Sequence, residues 1–279
     1  MKVNGFSLVE LSIVLVILGL LTGGILAGQS LIRAAEVRKF SVEAERYVTA
    51  VYTFRDKYFN LPGDMDNATA FWGVAGGNGS NNACMTTDAT GTATCDGDGD
   101  GIIGPQQGYV AGTPLSFMSE RGGEASRFWQ HLANAGLIEG SYSGSSNAAF
   151  TTAGNAGADE DNAPRLPTGN GFWMPATQFG YAGNTNFFSD TSSNSLYTAY
   201  LYTESPGWYI ALQVLAEVIT PQEAWSVDIK TDDGIPHQGK IRAQKTNCTT
   251  ASGVAPPLDA NAEYLLTLDE TACGLRFLF

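Results

Sequence analysis

The first chemically loaded feature of this chain is a carboxylate inside a hydrophobic segment. Glu10 lies in the run Phe6-Ser7-Leu8-Val9-Glu10-Leu11, one residue ahead of Leu11–Ile32, 22 residues without a charge and dominated by Ile, Leu and Val. An ionised acid in hydrocarbon costs several kcal/mol unless it is paired, so its presence asks for a partner cation. Lys2 precedes it by eight residues and Arg33 follows by more than twenty. No base on the same helix is close, and an amine on a neighbouring molecule is the natural counter-charge.

A second set follows Cys95: Asp96-Gly97-Asp98-Gly99-Asp100-Gly101-Ile102-Ile103-Gly104. Acids at the first, third and fifth positions, Gly at the sixth and an aliphatic residue at the eighth resemble the start of an EF-hand-type calcium loop. Alternating carboxylates of Asp96, Asp98 and Asp100, with the carbonyl of Ile102, can converge on one hard cation, and the glycine permits the sharp turn. The twelfth position holds Gln107 rather than Glu, so the bidentate ligand would have to come from elsewhere. A solvated acidic turn explains the same run without calcium. Asp159-Glu160-Asp161, and Asp228 with Asp232 and Asp233, pose the same choice between a cation site and a side-chain-capped turn.

The third set is four cysteines: Cys84, Cys95, Cys248 and Cys273. Proximity in sequence suggests Cys84–Cys95 and Cys248–Cys273, although four cysteines allow three pairings. The spacings are not C-x-x-C and the chain has only two histidines, which disfavours zinc. Neither His131 nor His237 stands in a recognisable Ser or Cys triad setting, and no glycine-rich phosphate loop with its lysine is present. His131, beside Trp129 on a helix, reads as a core or surface residue rather than a catalytic one. The chain therefore reads as a non-enzyme. Its net charge of −13 repels nucleic-acid phosphates, so no nucleic-acid partner is expected.

The elements that must position these residues follow from periodicity. Leu11–Ile32 is long enough, at about 1.5 Å per residue, to span the roughly 30 Å of a bilayer core. From Arg33 the pattern becomes amphipathic: Phe40, Val42, Tyr47, Val48, Val51, Tyr52 and Phe54 recur near helical spacing with charges between them. Leu61-Pro62-Gly63 stops the helix, so a single helix is expected from Phe6 to about Tyr58. A second helix is expected within Glu120–Gly140, with Gly136 as its C-cap. A third begins at Thr220, with Pro221 in its first turn and Glu223 completing a capping box. Between them lie long Gly/Asn/Thr-rich loops over 64–113 and 140–170. Phe172–Pro175, Gln178–Tyr181, Asn186–Phe188, Ala199–Tyr202, Trp208–Leu212, a strand starting at Ile241, Tyr264–Leu268 and Leu275–Phe279 read as strands. The fold class is α+β: a long N-terminal helix, half membrane-spanning and half amphipathic, packed against an antiparallel-sheet globular head with long loops.

The string Met1-Lys2-Val3-Asn4-Gly5, followed by Phe6-Ser7-Leu8-Val9-Glu10-Leu11, resembles the class III signal of type IV prepilins and type II secretion pseudopilins. A short leader carries a Lys, Gly precedes the cut, Phe follows it, and Glu stands five places into the mature chain. The resemblance implies cleavage between Gly5 and Phe6 by a prepilin peptidase, N-methylation of Phe6, and polymerisation through the hydrophobic helix. Glu10 would then set register against the α-amine of the next subunit. It also implies a leader at 1–5, an assembly helix over 6–60 and a periplasmic or extracellular head over 61–279. The precursor would sit in the bacterial inner membrane with its head in the periplasm. Its partners would be like or unlike pilins and an inner-membrane assembly platform. The assembled form would be an extracellular pilus or a periplasmic type II secretion pseudopilus. One departure from many major pilins is Ala27, where they carry a proline; Gly23, Gly24 and Gly28 supply weak helix propensity there instead. Two other readings of the N-terminus are a secretory signal peptide cut near Ala27-Gly28, whose apolar core would be unusually long and would contain Glu10, and a plain signal anchor. A further class is an anchored, calcium-binding adhesion module that never polymerises.

Overall fold

The computed structural model describes residues 7–77, 79, 84, 89–103, 124–144, 163–168, 171–176, 194–203, 210–214, 217–244, 247–251 and 259–279. The expected strands at Gln178–Tyr181 and Asn186–Phe188, the acids at 159–161 and the peptide between Gly5 and Phe6 lie outside them.

Helix α1 spans Leu8–Tyr58 without interruption, 51 residues, or about 77 Å at helical rise. Ser7 caps it: the Ser7 hydroxyl accepts from the Val9 amide, and the Ser7 amide donates to Glu10 Oε2 at 2.9 Å. The helix runs straight through Gly23, Gly24 and Gly28, each with open space around it. It ends where Phe59 turns left-handed (φ 59°) and donates its amide to the Arg55 carbonyl.

The two halves of α1 meet different surroundings. From Leu8 to Ile32 every large apolar side chain is at least half exposed. From Phe40 onward one stripe, Phe40, Ala44, Tyr47, Val51 and Phe54, is buried at the three- and four-residue spacing of a single helix face. That stripe packs on the head. Phe40 stacks on Trp173 with ring centroids 4.9 Å apart, and Tyr47 meets Trp129 edge-on at 4.9 Å. Trp129 Nε1 donates to the Trp173 carbonyl at 3.1 Å, so both buried indoles keep a polar partner or an aromatic neighbour.

Among the described residues the head is a five-stranded antiparallel sheet with three further helices. The strands are β1 Phe172–Ala176, β2 Ser195–Thr203, β3 Ile210–Val214, β4 Ile241–Gln244 and β5 Gly274–Leu278. They run β1-β2-β5-β4, with β3 pairing the second half of β2. Pro175 in β1 is tolerated because β1 lies at the sheet's edge, where a missing N–H breaks no ladder bond. Helix α2 is Ala68–Trp72, α3 is Glu124–Asn134 and α4 is Pro221–Thr231. Helix α3 ends as its Gly predicts: Gly136 has φ 71°, its amide donates to Ala133 and the Leu137 amide to Leu132, the double bond of a Schellman end. The expectation of a strand over Tyr264–Leu268 gives way to a single bridge between Thr249 and Tyr264. The chain there folds into turns, with the Leu266 and Leu268 amides donating to Tyr264 and Leu265, so the extended run cannot continue. Cys84 is bonded to Cys95 and Cys248 to Cys273.

His131 ties this core together. Its Nδ1 accepts the Gly63 amide at 2.9 Å, which leaves the proton on Nε2, 2.9 Å from Thr94 Oγ1. Thr94 in turn donates to Gln130 Oε1 at 2.6 Å. Burial first, and then the Arg127 charge, lower the His131 pKa from 6.5 to about 3.

Two outcomes follow from this packing. Phe40→Ala removes the ring that Trp173 and Phe277 rest on and should cost about 3–5 kcal/mol in urea unfolding of the full chain in detergent. His131 is neutral in the folded chain, whereas the unfolded chain takes up a proton near pH 6.5. Its contribution is therefore whole above pH 6.5 and is lost as pH falls toward 3. The stability advantage of the wild type over His131→Gln should shrink by about 1.4 kcal/mol per pH unit below 6.5, measured by urea unfolding of both proteins at pH 7, 6 and 5.

Candidate functional site

The residues singled out by sequence fall at opposite ends of α1. At its start, the Glu10 carboxylate is exposed and serves the helix's own N-terminus through the Ser7 amide. The pattern Ser7-x-x-Glu10 is itself a capping-box signature, a signal in the sequence that supplies part of what Glu10 lacks in a search for bases. One oxygen is committed to that amide and the other is open to a donor from another molecule. Gly5 and Phe6 lie outside the described residues. The apolar surface beyond Glu10 is continuous to Ile32, and none of its large side chains is covered by the head. By length and composition this is the one described helix able to cross a membrane.

Where the apolar half ends, Arg33 forms a two-pronged pair with Glu223: Nε to Oε1 and Nη2 to Oε2, both 2.7 Å. Arg33 Nη2 also donates to the Val218 carbonyl at 3.2 Å. Glu223 simultaneously completes the α4 capping box, accepting the Thr220 amide at 2.9 Å while Thr220 Oγ1 accepts the Glu223 amide. Burial works against Glu223 ionisation, and the bonds from Arg33 and Thr220 outweigh it, holding the carboxyl below the usual range. A parallel guanidinium–carboxylate fork of this kind fixes orientation as well as charge. Sequence periodicity gave no hint of it, because its partners are 190 residues apart.

Past the far end of α1, the acidic run does not close on itself. Asp96 turns to α2, accepting the Thr69 amide at 2.7 Å and the Thr69 hydroxyl at 2.9 Å. Ile102 donates its amide to Asp100 Oδ1 at 2.8 Å. The group that does form is Asp64, Asp98 and Asp100, with one carboxylate oxygen from each within 4.8 Å of the others. Asp64 is the centre. The Asp100 and Gly101 amides donate to its two oxygens at 3.1 and 3.0 Å, and the Gly99 amide to its carbonyl at 3.0 Å. Gly97 is needed for this wrap, since a Cβ there would run into the Asp64 backbone. Burial, aided by the negative charges of Asp100 and Asp98 against the backbone bonds, pushes the Asp64 carboxyl up to about 6. Its ionisation therefore costs stability as pH rises from about 3.8 through 6, and a bound cation would remove that cost.

Asp228, Asp232 and Asp233 form a second acidic group. Asp228 is buried and accepts from the Tyr264 hydroxyl at 2.7 Å and the Gly234 amide at 3.1 Å. Asp232 accepts from the Ile241 amide at 3.0 Å and from the Lys240 amide, and Asp233 from the Ile235 amide at 2.8 Å. Gly239 (φ 64°) gives the Asp232 carboxylate room, since any Cβ there would meet it. These carboxylates cap the turn that joins α4 to β4. Either acidic group offers oxygen donors that could hold a metal ion.

No curated protein and no solved structure matches the chain. Residues 1–26 match the family described as the prokaryotic N-terminal methylation motif, a motif of structural pilin-like subunits. It covers Gly5, Phe6, Glu10 and the first part of the exposed apolar helix. The chain thus carries, at the start of a membrane-capable helix that leads into an α+β head, the prepilin-type signal of type IV pilins and pseudopilins.

Proposed function

We propose that the chain is a structural subunit of a type IV pilus-type filament, cut between Gly5 and Phe6 and assembled through α1. The observation that carries this reading is the apolar half of α1, left uncovered by its own head. In the precursor the bilayer covers it. In the filament the same faces of neighbouring helices do, held by van der Waals packing and interhelical polar contacts, since lipid is already as apolar as the side chains it gives up. In this reading the α-amine that cleavage creates at Phe6 is the counter-charge for the open oxygen of Glu10 on an adjacent subunit, and that pair sets the stagger between them. The head stands outside the helix bundle, with leader 1–5 removed and residues 61–279 completing the exposed part. Catalysis has no place in this role.

Mass spectrometry of the mature chain should find methylated Phe6 at the N-terminus, and Glu10→Ala should reduce sheared surface filaments at least tenfold while leaving cleavage intact. A mature chain beginning elsewhere, or filaments unchanged in the variant, would overturn the reading and favour an anchored module that does not polymerise. Filaments confined to the periplasm would assign the same subunit to a secretion pseudopilus.

The acidic group at Asp64, Asp98 and Asp100 is proposed as a calcium site: hard oxygen donors around a buried, reluctant carboxylate suit that ion. Calcium at a hundredfold excess over its Kd should stabilise the full chain by about 2.7 kcal/mol at pH 7.5. The gain should fade below pH 6, where protons occupy Asp64. Thermal melts with calcium, magnesium or chelator at pH 7.5 and 5 read this out; identical melting at pH 7.5 with calcium and with chelator would count decisively against the site.

A further inference from the structure

Helix α4 is apolar on two sides. Its inner face, Ala224, Val227 and Asp228, is buried against the head. Its outer face carries Gln222, Trp225 and Ile229, three and four residues apart and therefore on one stripe. Trp225 is 39% exposed and Ile229 48%. Gln222 Nε2 donates to the Leu266 carbonyl at 2.6 Å, which brings Leu266, 42% exposed, beside the same stripe. The fold of the head gives this surface nothing to pack on.

Its height on the molecule is fixed. Arg33 is the first charge after the uncharged run of α1, and its guanidinium is bonded to Glu223 in the first turn of α4. Thr231 at the other end of α4 donates to Glu45 Oε1 at 3.3 Å, so α4 runs alongside α1 away from the apolar half. Trp225 is two residues past Glu223, about 3 Å along the helix. The headgroup layer on each side of a bilayer is about 5–7 Å deep. With α1 spanning the membrane up to Ile32, Trp225 and Leu266 stand within that layer, whereas Ile229, six residues past Glu223 and about 9 Å along the helix, stands beyond it.

We infer that Trp225 and Leu266, at the start of α4, form a docking surface for the bilayer interface, on which the head rests before assembly. The occupant is lipid for three reasons. The Arg33–Glu223 pair sets the start of α4 at the level where the membrane-spanning segment ends. Tryptophan is the side chain that partitions to this depth, its ring in the acyl boundary and its N–H among the headgroups. And two part-exposed apolar side chains fall far short of the roughly 800 Å² per partner of a stable protein interface.

This inference rests on the membrane-anchored precursor. Its test uses the full, uncleaved chain reconstituted in vesicles of phosphatidylcholine, with plain or brominated acyl chains. The chain has five tryptophans, so contact of Trp225 with brominated lipid should quench about a fifth of the emission in the wild type, and Trp225→Phe should abolish that loss. Leu266→Asn, with Trp225 intact, should weaken the quenching. Equal fractional quenching in wild type and Trp225→Phe would overturn the inference. So would absent quenching together with protection of Trp225 from acrylamide in assembled fibres, which would assign the stripe to a neighbouring subunit. Flotation of the same vesicles separates the two levels: chain that fails to float sinks the anchor itself, whereas chain that floats unquenched sinks only the docking surface.

Discussion

One helix in two solvents is the constraint on which the rest of this structure depends. Fifteen large aliphatic side chains between Leu8 and Ile32 are half exposed or more. At about 1.5 kcal/mol or more each, keeping them in water forgoes roughly 20 kcal/mol, more than the 5–15 kcal/mol that holds a typical domain folded. No rearrangement of the head could recover that sum, because the head already spends its own apolar faces on Phe40, Tyr47, Val51 and Phe54. The apolar half of α1 therefore needs a cover from outside the head, and in the proposed function lipid and other helices are its two covers. The Arg33–Glu223 fork marks the boundary. It sits where the side chains of α1 cease to be exposed and begin to face the head, and it ties the start of α4 to that level.

Within that constraint Glu10 acquires a double character. A carboxylate flanked by Val9 and Leu11 would be an expensive passenger in hydrocarbon if it had no donors. The Ser7 amide supplies one from the same helix, which reduces the cost without using both oxygens. An interhelical amine would then meet a partly satisfied acid rather than a naked one. That fits a contact formed and released as subunits move from bilayer to bundle, since neither state leaves the acid wholly bare.

The sequence made local features legible and distant ones invisible. Thr220, Pro221 and Glu223 announced a helix start that the structure reproduces atom for atom, and Gly136 announced a helix end. The helix–sheet class was readable because the long apolar-to-amphipathic change in α1 and the short aromatic runs of β1 and β5 are periodic signals. The strand expected at Tyr264–Leu268 had the right residues, but the bridge to Thr249 and the Cys248–Cys273 bond hold that segment as a turn. The acidic run showed where carboxylates were dense without showing which would converge. Asp96 was drawn off by Thr69, and Asp64 arrived from 34 residues upstream of Asp98. Nothing in Asp64's neighbours, Gly63 and Met65, marks it; only the fold of the loop around it does.

The two acids at the ends of α1 are opposite in design, and the difference decides what each can respond to. Glu10 is exposed and half satisfied, so its environment changes only when another molecule brings a donor. Asp64 is buried, held by the amides of Asp100 and Gly101, and poised near pH 6, so its environment changes with protons or a cation and needs no second subunit. Its neighbour in the chain, Gly63, donates to His131 in α3, and the short segment from Phe59 to Asp64 links that network to the last turn of α1. Neutralising Asp64 would thus tighten the end of α1 and the loop around it while leaving the apolar half untouched. Assembly would be governed at one end of the rod and the firmness of the head at the other, with 51 residues of continuous helix keeping the two electrostatically separate, since about 77 Å is many Debye lengths at physiological salt.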